Sequence, residues 1–348
     1  MIQIVVADEL WPSSGNTVTA QRMAHAVARM GLVAQPVRRS DLLESGHLDG
    51  VRLLHGMHAR RTGLVVREMA QRHGLPYVIT LTGTDLSSDL ADPRSRETLM
   101  PVLAEAEAVV VFDRSEGTWL AELIPDLGTP VHVVPPGATR PPGASWRRRL
   151  GLSEQDLVFF LPAGIRAVKR PLAAVEIVER LLPSVPQARL LVAGAEMDKA
   201  LVQEVAAAAD LRPWMQWLGA VPYCEVGGLY RAADVVLNTS EAEGLANSLL
   251  EAMAFGKPTL VQDNMGNRAA LGHVLGQEAV GLVFADLDQA VAQARQLATN
   301  RPLRAALGRA AKRRASEVYS ADREAELYAD LYREVLESAM PEGAQASR

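Results

Sequence analysis

The sequence predicts an α/β protein built from two doubly wound, Rossmann-like domains that face each other across a cleft. Three observations carry this expectation. The chain has 348 residues, more than one ordinary hydrophobic core accommodates. Short β-branched runs alternate with longer helical patterns, as in a parallel sheet covered on both faces. Two proline-proline-glycine clusters, Pro135-Pro136-Gly137 and Pro141-Pro142-Gly143, interrupt the alternation near the middle, where neither a helix nor a central strand can continue.

In the first half, strands are expected near 2–7, 51–55, 76–81, 107–112 and 131–134, with helices near 18–30, 62–73, 95–105 and 115–123. The runs Tyr77-Val78-Ile79-Thr80-Leu81 and Val109-Val110-Val111-Phe112 are almost wholly apolar rather than alternating, the mark of strands buried on both faces. Residues 135–146 read as the interdomain linker. The second half repeats the scheme, with strands near 157–162, 188–193, 214–218, 233–238, 258–262 and 280–284. Its helices are expected near 171–182, 198–209, 224–232, 245–255, 267–274, 286–299 and 301–316. A last amphipathic helix begins near Ser320 and lines up Ala325, Leu327, Tyr328, Leu331, Tyr332 and Leu336. The domains are therefore placed at 1–140 and 147–318, with 319–340 as a terminal helix.

Composition narrows the function. Hydrophobic residues at 48% and charged residues at 22% describe a globular protein. A net charge of −5 opposes a general nucleic-acid binder, which needs a basic footprint. The single cysteine, Cys224, excludes an intramolecular disulfide framework and fits a reducing compartment. No run approaches the ~18 apolar residues of a membrane span. A cytoplasmic location is expected; the oligomeric state is left open.

In open α/β sheets, ligands bind beyond the carboxyl ends of the strands, so the loops there carry the chemistry. The strongest signal is Ser240-Glu241-Ala242-Glu243-Gly244-Leu245-Ala246-Asn247-Ser248-Leu249-Leu250-Glu251, which follows the strand Asp234-Val235-Val236-Leu237-Asn238. On one continuous helix, Glu243 and Glu251 would lie roughly 12 Å apart along the axis. That suits one ligand with hydroxyls at both ends, and is too far for a glycosidase acid/base pair at roughly 5–9.5 Å. The plainer alternative is a helix-start charge and a solvated carboxylate. The second signal is Gly164-Ile165-Arg166-Ala167-Val168-Lys169-Arg170-Pro171 after the strand Leu157-Val158-Phe159-Phe160-Leu161. Arg166 and Lys169 there form a plausible diphosphate clamp beside a helix start.

These two motifs together resemble the retaining family-4 glycosyltransferases of GT-B fold. Further matches are Asn264-Met265-Gly266-Asn267 and Gly281-Leu282-Val283-Phe284. The resemblance implies that Glu243 contacts the sugar, Glu251 the ribose, and Arg166 and Lys169 the departing diphosphate. It implies a donor site completed by Gly15, Asn16, Gly244, Leu245, Ala246, Asn247, Gly266 and Asn267, a terminal helix packing back on the first domain, and no metal or cofactor. The catalytic assignment is Glu243, Arg166 and Lys169. The reaction implied is hexosyl transfer from a nucleotide-diphosphate sugar, UDP-sugar favoured, to a small-molecule acceptor.

On the acceptor side, His55-Gly56-Met57-His58-Ala59-Arg60-Arg61 and Leu81-Thr82-Gly83-Thr84-Asp85-Leu86 follow strands and offer His58, Arg60, Arg61, Thr84 and Asp85. The adjacent arginines oppose a metal at the two histidines. Many members of the resembled family carry a histidine where this chain has Thr82, which speaks against a general-base role there. The motifs Gly15-Asn16-Thr17-Val18-Thr19-Ala20, His58-Ala59-Arg60-Arg61, Leu81 to Leu86 and Arg166-Ala167-Val168-Lys169-Arg170-Pro171 together resemble a narrower branch. It holds selenosugar synthases and an animal glycosyltransferase-domain protein, and the former would imply selenophosphate as acceptor and a UDP-N-acetylhexosamine as donor. Two rival classes are a catalytically idle nucleotide-sugar binder on the same scaffold and a nicotinamide-dependent dehydrogenase. The latter lacks a Gly-x-Gly-x-x-Gly after a strand.

Overall fold

A computed structural model describes residues 1–8, 15–46, 48–272 and 280–339. The chain divides into two compact units, Met1–Gly137 with the chain from Ser320, and Ala138–Tyr319. No helix among the described residues is long and apolar enough to cross a membrane.

The first unit is a six-stranded parallel sheet: β1 (Ile2–Val6), β2 (Ala34–Arg38), β3 (Leu53–Met57), β4 (Tyr77–Thr80), β5 (Ala108–Val111) and β6 (Val131–Val133), in the order β2-β1-β3-β4-β5-β6. β3, β4 and β5 are buried at every position, which is why their sequences lack polar alternation. Helices α1 (Gly15–Ala28), α2 (Arg39–Ser45), α3 (Leu64–His73), α4 (Pro93–Ala104) and α5 (Arg114–Leu123) connect them. β2 and α2 were not expected. β2 contains Pro36 and sits at the sheet edge, where a missing N–H is tolerated and no apolar run is needed.

Helix α13 (Ala321–Ser338) packs on α1 through Tyr328, Leu331, Tyr332 and Val335, which join the core of Ile4, Val6, Met23 and Val27. Arg22 of α1 meets Glu324 in a two-pronged ion pair, both contacts 2.8 Å, with only 10% and 1% of the side chains exposed. His55, wholly buried in β3, contacts the Tyr332 hydroxyl at 2.7 Å and the Thr80 hydroxyl at 2.7 Å. Burial pushes its pKa from 6.5 down to about 3, so the native fold needs the neutral ring. Below pH 6.5 the unfolded chain takes up a proton that the folded one refuses until about pH 3. Stability is therefore full above pH 6.5 and falls by ~1.4 kcal/mol per unit below it. Between pH 7 and 5 urea denaturation should show His55→Gln losing about 2 kcal/mol less stability than the natural chain; equal slopes would refute the linkage.

The second unit repeats the plan: β7 (Leu157–Pro162), β8 (Ala188–Ala193), β9 (Met215–Trp217), β10 (Val235–Asn238), β11 (Thr259–Gln262) and β12 (Leu282–Phe284), ordered β12-β11-β10-β7-β8-β9, all parallel. Its helices are α6 (Pro171–Leu181), α7 (Lys199–Asp210), α8 (Tyr223–Ala232), α9 (Asn247–Ala254), α10 (Met265–Leu271), α11 (Leu287–Thr299) and α12 (Arg301–Glu317). On β7, Phe159 joins the core beneath α6 and α11, while Phe160 faces Leu229 and Tyr230 on the other side. Residues 273 and 274, the end of the helix expected over 267–274, lie outside the described residues.

The linker expected at 135–146 is corrected in its second part. Residues 138–146 belong to the second unit and lie along α8: Gly227 N–H donates to Pro142 O at 3.0 Å and Trp146 N–H to Gly228 O at 3.2 Å. A Cβ on Gly227 would stand 2.0 Å from Pro141 O, so only glycine admits this approach.

Candidate active site

In the second unit β7 lies between β8 and β10. Chain order reverses between β7 and β10, so the loops leaving these strands diverge and open the crevice where open α/β sheets bind ligands. One loop carries Arg166 and Lys169, the other Glu243. They are joined by Thr239, whose hydroxyl donates to Lys169 O at 2.7 Å and Arg170 O at 3.0 Å, and by Glu241 N–H to Val168 O at 2.9 Å. Lys169 Nζ donates to Glu243 Oε1, with side chains 15% and 10% exposed. Burial opposes the charge on Glu243, but Lys169, Ser240 and Asn238 outweigh it and hold the carboxyl below its ordinary value. The carboxylate and ammonium thus form a partly buried ion pair at the switch point. Arg166, partly exposed, precedes the short turn Ala167–Lys169.

A chain of amides fixes Glu243 from below. Asn238, the last residue of β10, donates from Nδ2 to Glu243 Oε1 at 3.3 Å and accepts at Oδ1 from Ser240 N–H at 3.0 Å and Asn267 Nδ2 at 3.3 Å. Asn267 also donates to Gln262 O at 2.9 Å. Sequence reading missed Asn238, although a polar residue closing an otherwise apolar strand was a usable signal. Asn267, expected as a donor ligand, is fully buried and directed at Asn238. Gly266 is buried as well, and a Cβ there would stand 1.6 Å from Gly244 O and 2.4 Å from Glu243 O. Its position is a packing requirement of the Glu243-Gly244 backbone.

Helix α9 begins only at Asn247, with Gly244, Leu245 and Ala246 buried in the loop before it. The 12 Å separation of the two glutamates, reckoned on one continuous helix, therefore does not apply. Glu251 is buried within α9, 6% exposed. Its Oε1 accepts from the Tyr223 hydroxyl at 3.1 Å and its Oε2 from the Tyr230 hydroxyl at 2.8 Å. Neither tyrosine carried a sequence signal.

In the first unit the residues after β3 and β4 converge. His58 has φ +89°, rare for a residue with a side chain. The conformation is held because His58 N–H donates to Thr80 O at 2.9 Å while its carbonyl accepts from Thr62 N–H at 3.1 Å and the Thr62 hydroxyl at 3.0 Å. Strain of this kind collects at ligand sites. His58 Nε2 lies 3.0 Å from Thr84 Oγ1 and Nδ1 3.6 Å from Asp85 Oδ2. Asp85 itself, expected as an acceptor ligand, is wholly buried and accepts from the N–H groups of Thr82, Gly83, Leu86 and Ala59 at 2.8–3.2 Å. Its carboxylate shapes the loop. Asn16 Nδ2 meets Thr82 Oγ1 at 3.4 Å beside Gly15, the first residue of α1.

A cavity of about 370 Å³ is lined by His58, Arg60, Arg61 and Thr84, together with Arg39, Ser88 and Asp89, which sequence reading missed. Arg39 comes from the unforeseen α2. It donates to Asp8 at 3.2 Å, and Arg60 to Asp89 at 3.0 Å. The Arg61 guanidinium forms no ion pair among the described residues, so positive charge is in excess there.

A family profile described as glycosyl transferases group 1 matches residues 144–314, nearly all of the second unit. The chain carries a glycosyltransferase group 1 domain. This glycosyltransferase is 24% identical over 331 residues to glycosyltransferase 1 domain-containing protein 1 of Xenopus tropicalis, covering 91% of the chain and 94% of that protein. It is 30% identical over 226 residues to the D-inositol 3-phosphate glycosyltransferase of Nocardia farcinica, covering 58% of the chain but only 50% of that relative. Among solved structures it resembles the sucrose-phosphate synthase of Thermosynechococcus elongatus, with TM-score 0.78 at 16% identity over 97% of the chain and 99% of the other. It also resembles Anabaena HepE in complex with UDP and glucose, with TM-score 0.76 at 14% identity over 96% and 100%. The fold of the glycosyltransferase is GT-B, two parallel six-stranded sheets flanked by helices.

Proposed function

We propose that this glycosyltransferase is a retaining, metal-independent hexosyltransferase that uses a UDP-sugar, recognised by the second unit, and an anionic small-molecule acceptor recognised by the first. The observation that carries the reading is the Lys169–Glu243 pair set at the β7/β10 switch point. A donor diphosphate competes with Glu243 for Lys169, and with Arg166 the ammonium stabilises the charge that develops as the diphosphate departs. Glu243, released to the sugar, accepts from its hydroxyls. Glu251 addresses the ribose. Attack from the same face, assisted by the leaving phosphate, gives retention.

The preference for UDP is supported by the resemblance to a structure holding UDP and glucose. Three arginines around one cavity, one of them without an ion pair among the described residues, favour an acceptor that carries a phosphate-like group. This accommodates the narrower reading, selenophosphate receiving an N-acetylhexosamine. Thermal unfolding in the presence of UDP-, GDP- and ADP-sugars tests the donor: a ligand at a hundredfold its Kd stabilises the native state by ~2.7 kcal/mol, and UDP-sugars alone should do so. Product anomers read by NMR test retention. Saturable binding with no hydrolysis or transfer would leave a nucleotide-sugar binder instead of an enzyme.

A further inference from the structure

Resting on the assignment of Glu251 to the donor ribose, we infer that Tyr223 is a positioning residue that fixes this carboxylate for a vicinal diol. Tyr223 opens α8 and is 41% exposed, so its ring adds little to the core. Its hydroxyl is nevertheless engaged on both sides, with Glu251 Oε1 at 3.1 Å and Thr139 Oγ1 at 2.7 Å. A hydroxyl has one proton. With Tyr223 donating to Glu251, its oxygen accepts from Thr139, and the relay runs Thr139 to Tyr223 to Glu251.

Tyr230 addresses the other oxygen at 2.8 Å. It differs in kind, being wholly buried, stacked on Phe255 with ring centres 5.3 Å apart and edge-on to Phe160. Two donors on two oxygens set the plane of the Glu251 carboxylate, which one donor leaves free to rotate about its last torsion. A fixed plane is what two-pronged recognition of neighbouring 2′- and 3′-hydroxyls requires. Thr139, the far end of the relay, is next to Ala138, whose N–H donates to Tyr319 O at 2.7 Å. The relay therefore starts on the segment by which the chain enters the second unit.

Calorimetric titration of the full chain with UDP and with 2′,3′-dideoxy-UDP tests the inference. Tyr223→Phe is expected to weaken UDP roughly tenfold, the size of one hydrogen bond to a charged group, to leave dideoxy-UDP affinity unchanged, and to keep the melting temperature. Thr139→Val should give a smaller loss of the same pattern. UDP affinity of Tyr223→Phe equal to the natural chain, with Glu251→Gln impaired, would overturn the relay alone. Equal binding of the two nucleotides by the natural chain, with Glu251→Gln unaffected, would instead remove the ribose assignment and the relay with it. An equal loss for both nucleotides in Tyr223→Phe would mark a merely structural role and overturn the inference.

Discussion

Glu243→Ala and Lys169→Ala are each expected to abolish transfer while the fold persists. The two side chains are one ion pair, so each substitution strands the other. Removing one partner of a fully buried pair costs about 3–5 kcal/mol; here the groups are 15% and 10% exposed, and the residual solvent reduces that cost. Loss of Lys169 removes a cation aimed at the leaving diphosphate, for which a fall in kcat of roughly 10²–10³ is the ordinary scale. Loss of Glu243 removes the sugar contact and leaves the ammonium without its guide. Glu243→Gln keeps the shape and the Asn238 contact while removing the charge, so it separates electrostatics from packing. Turnover and circular dichroism on the same samples decide the matter: near-natural kcat in both alanine variants would move the chemistry away from the β7/β10 loops.

Gly266→Ala is expected to be nearly as damaging, through packing alone. The added methyl would stand 1.6 Å from Gly244 O, a backbone atom that cannot swing aside as a side chain could. Either α10 or the Glu243-Gly244 segment must shift. Overpacking costs about 1–3 kcal/mol, and a shift of ~1 Å in a positioned group lowers activity about a hundredfold. Gly128→Ala is the control, since nothing lies within 4 Å of a Cβ there. UDP binding and melting temperature measured together read both terms. A Gly266→Ala protein that binds UDP like the natural chain would show the loop to be adaptable and the tight approach irrelevant.

Much of the architecture was legible along the chain. The buried strands announced themselves because a strand covered on both faces is apolar nearly throughout, as β4 is apart from Thr80 and as β5 is. α13 was legible through its stripe, ending in the Tyr328, Leu331 and Tyr332 cluster. β2 was not, because an edge strand has little to bury. Within the site, Glu243, Lys169, His58 and the arginines stood out as polar groups just beyond strand ends. Asp85 and Asn267 stood out for the same reason, yet the fold turns them inward: a short polar side chain near a strand end serves a backbone turn as readily as a ligand.

The parallel α/β class, the two repeated halves and the loops in which charge gathers all follow from local periodicity and local composition. Only the tertiary structure reveals that Lys169 meets Glu243 at a separation of 74 residues, that Tyr223 and Tyr230 hold Glu251, and that Arg39 joins the arginines of the first unit's cavity. The physical reason is strand order. Placing β10 beside β7 rather than beside β9 is a choice among sheet arrangements with equally apolar strands. It is settled by how the whole set of helices packs, and no single segment of the chain encodes it.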